Sequence, residues 1–558
     1  MMEQKNWAIR HGKHFQVSDI FISMKLNYVD NKRRDIFMVK LKDFSIILVV
    51  GLISIVTIES FGVDWTQLQG NAQKTGRTTD QVLPPYRPRW VWMDTTVVRN
   101  KLSNSSWSGP NIPPDSILGN LATLPTSVPF TFAGTMQPVI ADGKVFVGDM
   151  DGKVYGVNAD DGSTLWKSDN PGGTIASPAY ANGVIAFASL GRAIRGYNAT
   201  TGSVVWTIPT KGPAVAPPAT DGTNIYAADL GGYVYCINAS NGNIVWKSTC
   251  TLGAQIVGGL ALDSSSVYVC CENMYVYALN ISDGRIRASR KVAGQSFYRV
   301  WPVVYSNLLF VQAAPVAIIG SEYVGEDLMS GATSVDDEQD KWIQFYQGNT
   351  SVSSDASPDY KHLTVLRTSD LTEPFVVPDG PYDGCGTPPD PPVLVNISGT
   401  DRILAYFKSK WNTFARNCGF GTNYQVDMSA IDLTTGRRIQ INLGKKADNE
   451  WYTWESDNLY GLTCGGNMLF LRQNFRGTVG INLTNANATM ISTIYKTRDG
   501  GTWYPDMCYE DEYPPRAGDR EVPQSTNPEV GGRVGPAISG TCIYFTEDFC
   551  LTCMEHHQ

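Results

Sequence analysis

Residues 141–166 read ADGKVFVGDMDGKVYGVNADDGSTLW, and the same pattern returns three times. Residues 181–206 read ANGVIAFASLGRAIRGYNATTGSVVW, residues 220–246 TDGTNIYAADLGGYVYCINASNGNIVW and residues 263–288 DSSSVYVCCENMYVYALNISDGRIRA. Asn158, Gly162 and Trp166 come back without a gap as Asn198, Gly202 and Trp206, then as Asn238, Gly242 and Trp246. The fourth copy keeps Asn280 and Gly284 but has Ala288 in the Trp column. A unit of about forty residues repeated in register marks a repeat architecture.

Each copy has one grammar. An Asp-Gly or Asn-Gly turn precedes an alternating run such as Val145–Val147, and a polar break precedes a second run such as Val154–Val157. An Asn-x-x-x-Gly turn then leads into a short strand ending in Trp. Period-two alternation punctuated by Gly, Asn and Asp is strand-turn-strand chemistry. Three or four short strands per repeat predict a propeller blade, with the Trp column packed between blades.

The segment GDMDGKVYGVNADDGSTLW (148–166) resembles the repeat of the pyrrolo-quinoline-quinone (PQQ)-like propellers. That superfamily holds quinoprotein alcohol dehydrogenases and a bacterial outer-membrane assembly propeller. The resemblance implies an all-β, eight-bladed propeller, with seven blades as the alternative. It leaves function open, because the repeat is a structural unit shared by enzymes and non-enzymes.

Beyond residue 290 the repeat blurs. Val303–Ala313 and LTVLRTSDLTEPFVV (363–377) form blade five, with Phe375 in the Trp column. Asp432 and Gly436 recover the turn in blade six, and Asn482 and Met490 mark blade seven. The chain ends in three strands without a fourth. Arg87–Trp92 (RPRWVW) is predicted to supply it, with Trp90 or Trp92 in the Trp role, closing the ring by pairing the two ends. Loops or insertions are expected near 95–134, 315–360 and 496–532.

The chain has 558 residues with a formal net charge of -8 and no basic stripe, which argues against a nucleic-acid partner. Phe44–Ile58 (FSIILVVGLISIVTI) is short for a membrane span and suits a signal-peptide core, with Ser60 and Gly62 before a cleavage point. Reading from Met38 gives an ordinary leader over 38–62, and on that reading residues 1–37 are an untranslated extension. The competing reading is a signal anchor, with Lys32, Arg33 and Arg34 held inside and the membrane touched through 44–58 alone. Both readings place the propeller, 63–558, outside the cytoplasm.

All 11 cysteines stand at or after Cys236, so an exported chain is expected to pair several of them. Sequons occur at Asn104, Asn198, Asn238, Asn280, Asn349, Asn396, Asn482 and Asn487. In a eukaryotic secretory protein these are glycan sites. Asn198, Asn238, Asn280 and Asn482 also fall in the repeat's turn column, where Asn is wanted for its backbone bonding.

Cys270-Cys271 is the sharpest local feature. The family resemblance implies a vicinal disulfide over a quinone cofactor held with Ca²⁺. Here Glu272-Asn273-Met274 follows where the family has Arg-Gly. The alternative is two cysteines on opposite faces of one strand. No metal ligands are assigned. Asp149, Asp151, Asp160 and Asp161 fit the repeat's own turns, and the acidic run Asp336–Asp340 reads as a solvated loop, alternatively a Ca²⁺ or basic-partner site. Only His362, of five His, is placed to join a buried constellation. The sequence therefore supports a binding or scaffold propeller taking a protein or glycan partner through its loops. A PQQ/Ca-dependent alcohol or sugar dehydrogenase is the alternative.

Overall fold

The blade grammar is realised strand by strand. In blade one, Val139–Ala141, Lys144–Gly148, Lys153–Asn158 and Thr164–Asp169 form one antiparallel sheet in chain order. The computed structural model describes residues 62–84, 86–94, 96–99, 131–248, 252–313, 331–349, 361–379, 391–409, 425–441, 459–473, 477–485, 488–491, 495–496, 502–503, 534–547 and 550–556. All fall within the unit Ser60–Gln558.

Among these residues eight blade sheets follow one another: 139–169, 179–209, 219–247, 261–291, 303–367, 393–440, 459–491 and 537–556. Their innermost strands neighbour one another around a ring, from Val139–Ala141 through Ala179–Ala181 and onward back to Ala537–Ser539. Blades five and six meet through one core containing Phe310, Val365, Leu394 and Phe407. The ring closes as expected. Tyr86–Met93 pairs antiparallel with Cys550–His556, setting Trp92 opposite Leu551.

The Trp column works between blades. The indole N–H of Trp166 donates to the Ala199 carbonyl at 3.0 Å, that of Trp206 to Ala239 at 2.7 Å and that of Trp246 to Ile281 at 2.8 Å. Each ring lies over the next blade's turn glycine. A Cβ on Gly202 would stand 2.6 Å from the Trp166 ring. Trp90, not Trp92, fills this role at the closure, donating to Ala159 at 3.0 Å over Gly162. Phe375 covers Gly436 in the same way. Where Ala288 interrupts the column, Arg287 instead donates to the blade-five carbonyls of Thr368 and, at 3.2 Å, Ser369.

Two loop expectations are corrected. Thr96–Arg99, in the stretch read as a loop, is a fifth strand on the closing blade, as its β-branched run favours. The acidic run Asp336–Asp340 is not a solvated loop but the start of helix α1, Val335–Tyr346, capped by Ser334 Oγ accepting from the Asp337 N–H at 3.1 Å. Carboxylates in a first turn complement the helix dipole. Glu338 is buried within 3.5 Å of Arg438, and Asp340 pairs with Arg437. In the third stretch, 496–532, Thr502–Trp503 pairs with Tyr495–Lys496, and most of the remainder lies outside the described residues.

Candidate functional site

The opening stretch DWTQLQGNAQKTGRT (64–78) has no apolar periodicity, and a function for it was not evident from sequence. In the structure it is a belt around the inner wall of the propeller. Trp65 exchanges two backbone bonds with Ile140 of blade one, 2.8 and 2.9 Å. The Thr66 carbonyl accepts from Tyr180 of blade two at 2.8 Å. The Gln67 side chain both donates to and accepts from the Thr220 backbone of blade three, each at 3.0 Å. The carbonyls of Ala72, Gln73, Thr75 and Gly76 accept from Leu262, Val304, Leu394 and Cys464 of blades four to seven, at 2.7–2.9 Å. Asp80 finishes the circuit, accepting from Gly540 of blade eight at 2.5 Å. Inner-strand edges would otherwise leave these N–H groups facing the channel; the belt satisfies one in each of blades one to seven, and in blade eight the turn N–H of Gly540.

Gln137 anchors the belt. Its Oε1 accepts from Trp65 Nε1 at 2.9 Å and from the Gln69 N–H at 2.7 Å, while its Nε2 donates to Gly535 O at 2.6 Å. Lys74 lies within the belt, wholly buried, its Nζ 3.0 Å from Gln67 Oε1. Loss of hydration brings its pKa down to about 7.

Beside the belt, the channel mouth is a small recess open to solvent. Its floor includes Leu68 and Trp301; its wall carries Thr135, Ile175, Val215 and Val257. These four wall residues each stand thirty-one positions before residues 166, 206, 246 and 288, so the repeat itself sets one half-buried side chain per blade around the axis. Val300 and Val534 add to the apolar lining, and Tyr298 and Arg299 supply its polar rim. Arg299 holds φ at 65°, and the segment carrying it is pinned by Glu272, which accepts from Ser296 Oγ at 2.9 Å and Phe297 N–H at 2.7 Å.

The sequence-predicted residues lie elsewhere. Cys270 and Cys271 are free thiols on Ser266–Cys271 whose side chains enter different cores. Cys270 packs with Tyr268, Met274 and Val304 between blades four and five, and Cys271 with Val234, Val267 and Val269 between blades three and four. The vicinal disulfide implied by the family is therefore corrected to two separate thiols, because alternation along a strand sends neighbours to opposite faces. Burial pushes Cys271 up to about 12 and Cys270 well above its ordinary value. Cys236, Cys464, Cys542 and Cys553 are also free thiols, so the expected pairing is not seen among them. Cys250, Cys385, Cys418 and Cys508 lie outside the described residues.

The turn-column sequons use their Oδ1 atoms locally. Asn198 accepts from Thr200 and Thr201, Asn238 from Ser240 and Asn241, Asn280 from Ser282 and Asn482 from Thr484. Asn396 bonds Asp401 and Gly399, and Asn349 bonds Gln347; Asn104 and Asn487 lie outside the described residues. Asp149 accepts from the Lys153 N–H at 2.7 Å and the Tyr155 hydroxyl at 2.8 Å, within its own turn. Among the described residues no His, Cys, Asp or Glu cluster has a metal-binding arrangement, and no helix is long and apolar enough to cross a membrane. Phe44–Ile58 lies outside them. The recess lining contains no carboxylate, and Cys270 and Cys271 are not among its residues, so these groups do not fit a calcium-bound quinone. His362 is buried beside Lys361 and Leu363. The buried Asp379 carboxyl accepts from the His362 and Leu363 N–H groups but is still raised to about 8 by burial.

A family profile described as outer membrane protein assembly factor BamB matches residues 99–249 and again 216–366. The chain is a β-propeller, and the profile match places PQQ-like repeats in residues 99–366. Among solved structures, BamB from Moraxella catarrhalis is similar at 13% identity over 77% of this chain and 98% of its own, with a TM-score of 0.42. The computationally designed Ika8 protein is similar at 11% identity over 74% of this chain and 100% of its own, with a TM-score of 0.40. No curated protein sequence matches.

Proposed function

We propose that this chain is an exported binding or scaffold propeller that holds a protein partner at the mouth of its central channel. The axial recess carries this reading. The belt underlies it through Leu68, and aliphatic side chains from successive blades face it half-exposed. Accessible apolar concavities favour association. The profile match, to a family described as an outer membrane protein assembly factor, supports a scaffold role outside the cytoplasm. The leader-like stretch 38–62 supports export by cleavage or anchoring. A glycan partner is less well served by a wall of Ile and Val than a protein side chain would be.

A photo-crosslinking residue at Val215 or Val257, with the exposed outer-strand Val205 as comparison, tests the site in cells. Discrete protein adducts from the two mouth positions alone are expected. Adducts of equal yield from Val205, or none from the mouth, would overturn the reading. Titration of the purified protein with PQQ and Ca²⁺, followed by Trp fluorescence and dye-linked alcohol oxidation, tests the enzymatic alternative. Saturable binding with turnover would replace the scaffold reading.

A further inference from the structure

The closing blade brings two cysteines and an arginine together. Cys542 opens Cys542–Glu547, and Cys553 lies in Cys550–His556. Cys542 stands opposite Glu555 and Tyr544 opposite Cys553, so both cysteines sit on one face as diagonal neighbours. Arg89 reaches them from the amino-terminal strand, at the register irregularity between Pro88 and Trp90. Its Nη1 donates to Cys542 Sγ at 3.6 Å and lies 3.7 Å from Glu555 Oε2. Its Nε donates to the Asp160 carbonyl at 2.8 Å, and its Nη2 to Asp160 Oδ1 at 3.1 Å. Cross-strand register sets Cys553 beside Cys542, and the two thiols perturb one another. Cys542 is 3% exposed, but the guanidinium above it ends on a carboxylate side chain that is 86% exposed, so one side chain separates the sulfur from water.

We propose that Cys542 and Cys553 are a redox-active dithiol that reacts with low-molecular-weight disulfides, Cys542 as the attacking sulfur and Cys553 as the resolving one. The Arg89 guanidinium against its sulfur favours thiolate at Cys542, whose pKa is drawn down by the neighbouring Cys553 first and Arg89 next, against burial and Glu555. Burial moves Cys236, Cys270, Cys271 and Cys464 the other way. The Cys542 thiolate attacks one sulfur of a disulfide RSSR, forming a mixed disulfide and releasing RS⁻. That thiolate takes the Cys553 proton and leaves as RSH. The Cys553 thiolate then attacks Cys542 Sγ and expels the second RS⁻, which leaves as RSH after taking up the proton first lost by Cys542. The protein dithiol is oxidised and RSSR is reduced to two RSH.

The test equilibrates the purified full-length chain in glutathione buffers of stepped ratio, traps thiols with N-ethylmaleimide and maps linkages by mass spectrometry. A Cys542–Cys553 link with one midpoint is expected, with Cys270 and Cys271 remaining unlinked. Cys553→Ser should accumulate glutathione on Cys542. Arg89→Met should slow iodoacetamide labelling of Cys542 near pH 7 by roughly three- to ten-fold and move its pH profile upward. A folded chain that forms no such link at any ratio, a Cys553→Ser variant that takes up no glutathione, or an unmoved Arg89→Met profile would each overturn the proposal.

Discussion

Lys74 is a basic side chain wholly buried where the belt runs along the inner wall. One amide oxygen, Gln67 Oε1, faces its Nζ, and the same oxygen also accepts from the Thr220 N–H at 3.0 Å. With a folded pKa near 7 against an ordinary 10.5, the unfolded chain binds the proton more tightly. Stability should therefore rise with pH from about 7 to about 10.5 and be flat below that window. Lys74→Met keeps the stem's packing, leaves Gln67 with its Thr220 partner and removes the cost of burying or neutralising the ammonium. It is expected to gain about 2–4 kcal/mol near neutral pH, at roughly 1.4 kcal/mol per unit, and to lose the slope. Urea melts at about pH 7 and about pH 10 check both; a destabilised variant would mean that the ammonium has a stronger partner than Gln67.

At the scale of the element, the informative contact is Trp on glycine. Gly202 and Gly183 both hold positive φ, at 71° and 74°. A Cβ on Gly183 meets nothing within 4 Å, whereas on Gly202 it meets the Trp166 ring at 2.6 Å. Gly183→Ala should cost about 1–2 kcal/mol, the price of a left-handed alanine. Gly202→Ala should cost clearly more, about 3 kcal/mol or above, because the ring is held by its bond to Ala199 and cannot move aside freely. Thermal or denaturant unfolding of the pair measures the inter-blade contact by difference, and equal losses would show that the Trp column is slack.

For the whole molecule, closure is the issue. Trp90 and Trp166 make matching contacts, but of the two it is Trp90 that joins the amino-terminal strand to blade one across the seam of the ring. Truncating either to Ala should cost about 3–5 kcal/mol. Hydrogen exchange should separate them. Trp90→Ala is expected to raise exchange in Tyr86–Met93, Cys550–His556 and the belt residues bound to blades one and eight; Trp166→Ala should act on blades one and two. A uniform response to both would mean that the ring opens as one unit.

Much of the architecture was legible because the repeat is local. Asn158, Gly162 and Trp166 lie within nine residues, so one blade's turn and outer strand are written contiguously, and recurrence implies stacking. The closing strand was legible too, since three terminal strands leave an edge to be covered. The belt was not, because its polar residues 64–80 carry no periodicity and bond to blades up to about 460 positions away. Helix α1 hid within an acidic run whose cap and dipole are weak signals without Arg437 and Arg438 beside it. Cys270-Cys271 drew notice by adjacency, yet strand alternation parts them, while Cys542 and Cys553 are joined only by cross-strand register. Sequence alone thus determined the blade, its period and its closure, all consequences of short-range pattern. Which side chains meet at the axis and at the seam was decided by tertiary structure, because those meetings depend on how eight blades bring distant residues within hydrogen-bond reach.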